Sequence, residues 1–94
     1  MKIKLDDTYR IEIDGLKNHT LYKKATYVNG KNIGEQYDNV LGYFNGVPSA
    51  VRRYIVELTD DNDLTLTLQE YVERYEKISK EVLERIGELW VKIN

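Results

Sequence analysis

The sequence predicts an α+β fold: an N-terminal antiparallel sheet of three to four strands followed by two helices, the second long and amphipathic. Three observations carry that reading. Residues 1–45 are rich in Tyr, Thr, Ile, Gly and Asn and alternate in polarity over short stretches. Residues 46–94 are rich in Glu, Leu, Val and Arg and repeat their apolar residues in steps of three and four. No low-complexity linker parts the two halves, so the 94 residues are expected to form a single α+β domain, 1–94, with both helices packed on one face of the sheet.

The strands follow from the period of two. Ile3 and Leu5 mark a short first strand, closed by the turn-favouring pair Asp6-Asp7. Tyr9, Ile11 and Ile13 alternate with Arg10, Glu12 and Asp14, the signature of a half-buried strand, and Gly15 to Asn18 breaks it. From His19 to Val28, one face carries Leu21, Lys23, Ala25 and Tyr27 and the other Thr20, Tyr22, Lys24, Thr26 and Val28. Neither face is apolar throughout, which predicts a hairpin arm partly outside the core. Asn29-Gly30 and Ile33-Gly34 predict a turn with positive-φ positions. Tyr37 to Phe44 closes the sheet, with a bulge or a close backbone approach expected at Gly42.

At Asn45-Gly46-Val47-Pro48 the period changes. Proline suits a first helical turn, where its missing N–H is needed by no carbonyl. Val47, Val51, Tyr54, Ile55 and Leu58 follow at helical spacing, and Asp60-Asp61-Asn62-Asp63 ends the run. Thr67-Leu68-Gln69-Glu70 then matches a capping box, in which threonine and glutamate satisfy each other's orphan amides. Leu68, Val72, Tyr75, Ile78, Val82, Ile86, Leu89 and Ile93 form a stripe widened by Tyr71, Leu83 and Trp90. The opposite face collects Glu70, Glu73, Lys77, Glu81, Glu84 and Glu88. A helix over 68–92 is about 37 Å long and overruns a domain about 30 Å across. Its last turn, with Trp90 and Ile93, needs cover from the first helix or from a second chain; those two residues are the candidate dimer interface. A near-heptad stripe also describes ordinary packing on a sheet.

Composition excludes much chemistry. With no cysteine there are no disulfides, thiolate metal sites or cysteine nucleophiles, which fits a reducing cytoplasm. A single histidine, His19, offers no ligand pair for a metal, and Ser49 and Ser79 lie in no nucleophile motif. Asp61-Asn62-Asp63 lacks the glycine and glutamate of a calcium loop, and Gly30-Lys31-Asn32-Ile33-Gly34 lacks the ending and context of a phosphate loop. No apolar run approaches the roughly 20 residues of a membrane span, so no membrane partner is expected. Neither an enzyme, a metal nor a cofactor is expected.

Binding surfaces remain. Lys17, Lys23, Lys24 and Lys31 lie among Tyr22, Tyr27, Tyr37 and Tyr43, a pattern suited to stacking bases and neutralising phosphates. Tyrosine is also a good strand former, and lysine protects sheet edges. The net charge is −2, with residues 1–45 at +1 and residues 46–94 at −3. Eight tyrosines exceed what so small a core buries with partners for their hydroxyls, and exposed tyrosine favours protein contacts. The glutamate row on the second helix resembles a row of phosphates, and a solvated helix face has the same appearance. The candidate partner-binding residues are Tyr22, Lys24, Tyr27, Lys31 and Tyr37 on the hairpin, and Glu70, Glu73, Glu81, Glu84 and Glu88 on the helix.

Gly30-Lys31-Asn32-Ile33-Gly34-Glu35, followed by Leu41-Gly42-Tyr43-Phe44 and at once by a helix, resembles a loose group of small phage and prophage accessory proteins of low-GC Gram-positive bacteria. Tyr9-Arg10-Ile11 and Tyr22-Lys23-Lys24 belong to the same pattern, which spans most of the chain through structural motifs of low specificity. The Val47-Pro48 helix start and the acidic Asp60-Asp61-Asn62-Asp63 loop depart from it. The group brings no activity or site residue to transfer. The resemblance implies a context: an accessory gene of a mobile element acting in the cytoplasm of a host bacterial cell, where proteins of this size include inhibitors of host defence, anti-CRISPR proteins among them. The expected function is a non-enzymatic protein-binding module, an inhibitor of a host defence nuclease of the CRISPR type, occupying its nucleic-acid site. The alternatives are direct single-stranded nucleic-acid binding through the Lys/Tyr-rich hairpin and a structural homodimeric adaptor.

Overall fold

The computed structural model describes residues 1–15, 18–60 and 63–86. Four strands, β1 (Lys2–Lys4), β2 (Tyr9–Ile13), β3 (His19–Thr26) and β4 (Gln36–Phe44), precede two helices, α1 (Val47–Thr59) and α2 (Leu68–Ile86). The strands form one antiparallel meander in the order β1-β2-β3-β4. This is the α+β class that the two periodicities predict. The chain divides into two compact units, Met1–Ala50 and Val51–Asn94.

In the first unit the sheet is pinned at its turns. The Asp6 carboxylate accepts the amides of Thr8 and Tyr9, both at 2.7 Å, and so fixes the β1–β2 reversal. Tyr9, Ile11 and Leu21 are buried, and Ile11 stands opposite both Ile3 and Leu21, so one face of the sheet carries the apolar row. Pairing of β2 with β3 ends at Tyr9↔Lys23, extended by one bond from the Lys24 amide to the Thr8 carbonyl. Beyond that point β3 is paired only with β4. The expected arm therefore exists, a two-stranded extension closed by a turn in which Gly30 and Gly34 adopt φ of 84° and 86°. Such angles strain any residue with a Cβ.

Near Gly42 both expected features occur together. The β3–β4 register shifts between Leu21↔Gly42 and Tyr22↔Val40, which leaves Leu41 as the extra residue of a bulge. A Cβ on Gly42 would stand 2.9 Å from Cζ of Phe44, so the missing side chain makes room for that ring.

In the second unit the helices carry their own stops. Thr59 is buried and donates its hydroxyl to the Ile55 carbonyl, while Arg74 Nε donates to the Thr59 carbonyl at 2.7 Å, satisfying the end of α1. At the start of α2 the capping box is reciprocal: the Glu70 amide donates to Thr67 Oγ1 at 3.2 Å, and the Thr67 amide to Glu70 Oε1 at 3.1 Å. Those bonds hold the Glu70 carboxyl below its ordinary pKa. Tyr54 is fully buried and accepts a hydrogen bond from the Arg85 guanidinium, and Val51, Ile55 and Val82 are buried with it. The α2 stripe is buried at Val82 but open at its beginning, where Leu68 and Val72 are exposed. The expected continuation of the helix to residue 92, with Glu88, Trp90 and Ile93, lies outside the described residues.

Candidate functional site

Strand parity decides which hairpin residues act together. Opposed residues of an antiparallel pair share a face, and successive residues alternate. Tyr37 stands opposite Ala25, and Tyr27 follows Ala25 by two, so Tyr27 and Tyr37 lie on one face of the arm. Their ring centroids are 4.5 Å apart with planes tilted by 37°. Each residue keeps 40% of its surface exposed, so the pair is a ready contact platform. Tyr22 and Lys24 lie on the opposite face. The hairpin candidates thus form two separate surfaces, with Lys31 exposed in the turn between the strands.

The second of these surfaces is largely committed to internal contacts. Arg10 reaches from β2 across β3 and binds Asp38 of β4 through both terminal nitrogens, at 2.9 and 3.0 Å. Its Nε donates to Glu12 at 2.7 Å, and its guanidinium lies 4.4 Å above the Tyr22 ring. Tyr22 is thereby half covered. The bonds from Arg10 hold the Asp38 carboxyl below the usual aspartate range, with further help from the charges of Lys24 and Lys2. Asp38 in turn, with Glu12, holds the Arg10 guanidinium more firmly protonated than usual. Lys24 is exposed opposite Asp38, and Lys23 turns to the Tyr9 ring, its Nζ 5.8 Å from the centroid. The lysines of the arm do not converge on the tyrosine pair.

The glutamates belong to the second unit. Glu70, Glu73, Glu81 and Glu84 are exposed on one face of α2, spanning about 21 Å of helix axis. Glu70 is engaged in the cap, and Glu73 accepts from Gln69 Nε2 at 3.3 Å. Lys77 falls inside the row, so the ridge alternates in sign at its middle.

Comparison with known proteins brings no kinship. No protein-family model, no curated protein and no solved structure matches the chain.

The structure also exposes residues outside the predicted set. On β4, Val40 and Tyr43 are exposed, Tyr43 at 73%. In the second unit Leu64, Leu66, Leu68 and Val72 stand open, the first three beside a groove that Thr59, Asp60, Thr67 and Tyr71 also line. Tyr71 donates its hydroxyl to Asp60 at 3.2 Å there, and burial together with that carboxylate pushes its pKa up. A leucine at every second position from 64 to 68, with no helical continuation upstream, was the available signal for this open patch. Among the described residues no group of three His, Asp or Glu side chains gathers as a metal site, and no helix is long and apolar enough to cross a membrane.

Proposed function

We propose that the chain is a non-enzymatic protein-binding module that docks through the Tyr27–Tyr37 pair at the end of the β3–β4 arm. One observation carries this reading: two exposed tyrosine rings hold each other in place on an arm that extends past β2. Each ring is already ordered by its neighbour, so docking costs little side-chain entropy, and tyrosine ranks among the residues that dominate binding energy at interfaces. The partner we propose is a host defence nuclease of the CRISPR type in the cytoplasm of a bacterial cell, as the resemblance to mobile-element accessory proteins suggests. The exposed glutamates of α2 would occupy the target's nucleic-acid site in place of phosphates.

The test is capture from nuclease-treated host lysate, read by mass spectrometry. One protein retained in stoichiometric amount after nuclease treatment, and lost with the double variant Tyr27→Ala/Tyr37→Ala, is the expected result. Capture that is indifferent to both tyrosines removes the arm from the interface. The triple variant Glu73→Lys/Glu81→Lys/Glu84→Lys addresses the phosphate-like role: unchanged affinity discards that role and leaves the docking role standing. Direct single-stranded nucleic-acid binding is the weaker reading, because Lys23 and Lys24 point to opposite faces of the arm and, among the described residues, no cation lies over the tyrosine pair. A homodimeric adaptor built on Trp90 and Ile93 is a separate proposal, tested by sedimentation of Trp90→Ala and Ile93→Ala.

A further inference from the structure

The two edges of the sheet are treated differently. β1 is three residues long, Lys-Ile-Lys, with Lys4 paired to Asp7 at 3.0 Å, and is protected in the usual way by brevity and lysine. β4 is nine residues long, contains neither lysine nor proline, and is exposed over Gln36–Val40. Among the described residues no strand pairs with its outer side.

The hydrogen bonds at the arm reveal which backbone groups are open. The Tyr27 amide donates to the Glu35 carbonyl and the Tyr27 carbonyl accepts from the Gly34 amide, so both groups of Tyr27 turn towards β4. Stepping back by two along β3 makes Ala25:Tyr37 and Lys23:Asn39 the bonded pairs of the ladder. Gln36, Asp38 and Val40 therefore direct their N–H and C=O groups away from the sheet, about 6.8 Å apart. Past Val40 the bulge at Leu41 interrupts the row.

We infer that this edge receives an extended strand of the bound partner protein, added beside β4 over Gln36–Val40, with a basic or hydroxyl side chain opposite Asp38. The inference deepens the proposed protein-binding role and rests on it. Only another extended backbone presents donors and acceptors at that spacing. A second copy fits poorly: the one antiparallel self-register that uses all three open positions sets Asp38 directly against Asp38, a destabilising like-charge pair. A foreign strand has no such conflict. Asp38 on β4 is the charged group of this cluster nearest the open edge, with Lys24 on β3 and Arg10 of β2 behind it, so a cation on the incoming strand meets a carboxylate first. On the other face, an apolar side chain of that strand would lie against Tyr37 and its partner Tyr27.

Amide-resolved NMR on the full chain tests this with a capped peptide, Thr-Val-Lys-Val-Thr, as the probe. In the free protein the amides of Gln36, Asp38 and Val40 should exchange about a hundredfold faster than those of Tyr37 and Asn39. Added peptide should protect the three open amides and shift Tyr27 and Tyr37. Glutamate in place of the peptide's lysine should weaken binding about tenfold, and N-methylation of alternate peptide amides should abolish it. Val40→Pro should block binding while sparing the β3–β4 ladder, which does not use that amide. Protection of the open amides in the free chain, whether constant or rising with protein concentration, overturns the inference, the latter in favour of a second copy. No binding up to millimolar peptide, or equal binding by the N-methylated peptide, overturns it too. Either result leaves the tyrosine-docking role to its own test, since capture that depends on Tyr27 and Tyr37 but ignores Val40→Pro separates the two.

Discussion

Arg10 commits its guanidinium to two carboxylates and lays its face on Tyr22, so one side chain ties β2, β3 and β4 together. The consequence is a pH dependence with a definite sign. Asp38 titrates below its ordinary value of 3.8 because Arg10 bonds its charged form. Its contribution to stability is fully present above that value and is lost as pH falls through the lower folded one. Asp38→Asn should therefore lower the urea midpoint at neutral pH, and the gap to the parent chain should close in acid below the folded value. A gap that persists in acid would show that the loss comes from something other than the ion pair. At this scale the sequence was only half legible. Tyr22 and Tyr27 are five residues apart, an odd number, and so are bound for opposite faces of any strand. Alternation separates the two rings, whereas a count of tyrosines and lysines does not. The Arg10–Asp38 pair spans 28 residues, and no local pattern announces it, because it depends on a register that the strands adopt only when paired.

Among the elements, α2 shows how far a local motif reaches. Thr67 and Glu70 satisfy each other's amides three residues apart, and both partners were readable as a capping box before any fold was known. Thr67→Ala should cost about 1 kcal/mol of stability, measured by urea unfolding. Glu70→Ala added to it should cost nearly what it does alone, since the Glu70 carboxylate accepts from the Thr67 main-chain amide, which alanine keeps. Losses far from additive would mean that one side chain holds the other in place. The strands were legible for the same reason: Tyr9-Arg10-Ile11-Glu12-Ile13 alternates, and the turn glycines at 30 and 34 mark where φ must be positive. Gly42 announced an irregularity but not its form, and the extra residue proves to be its neighbour Leu41. The open leucines before α2 carry only a weak sequence signal, because alternation over 64–68 resembles neither a strand in context nor a helical stripe. The expected end of α2 at residue 92 depends on Gly87 to Asn94, outside the described residues.

For the whole molecule, charge separates the two binding readings. The chain carries a net −2, and its N-terminal half is only +1. Within that half three cations already have partners: Arg10 binds Glu12 and Asp38, Lys4 binds Asp7, and Lys23 lies over the Tyr9 ring. Lys24 lies beside Asp38 on one face and the tyrosine pair on the other, and Lys23, which shares the tyrosine face, is drawn to the Tyr9 ring, so phosphate neutralisation and stacking are not brought together. A single-stranded binder using Lys23, Lys24 and Lys31 would release about two counterions and show a logarithmic salt slope near −2. Fluorescence anisotropy of labelled single-stranded DNA should instead stay flat at low salt, with the parent chain and with Lys24→Glu/Lys31→Glu alike. A saturable rise that falls with salt along that slope and vanishes in the double variant would move the function from protein docking to nucleic acid, because only contacts to phosphate produce both dependences together.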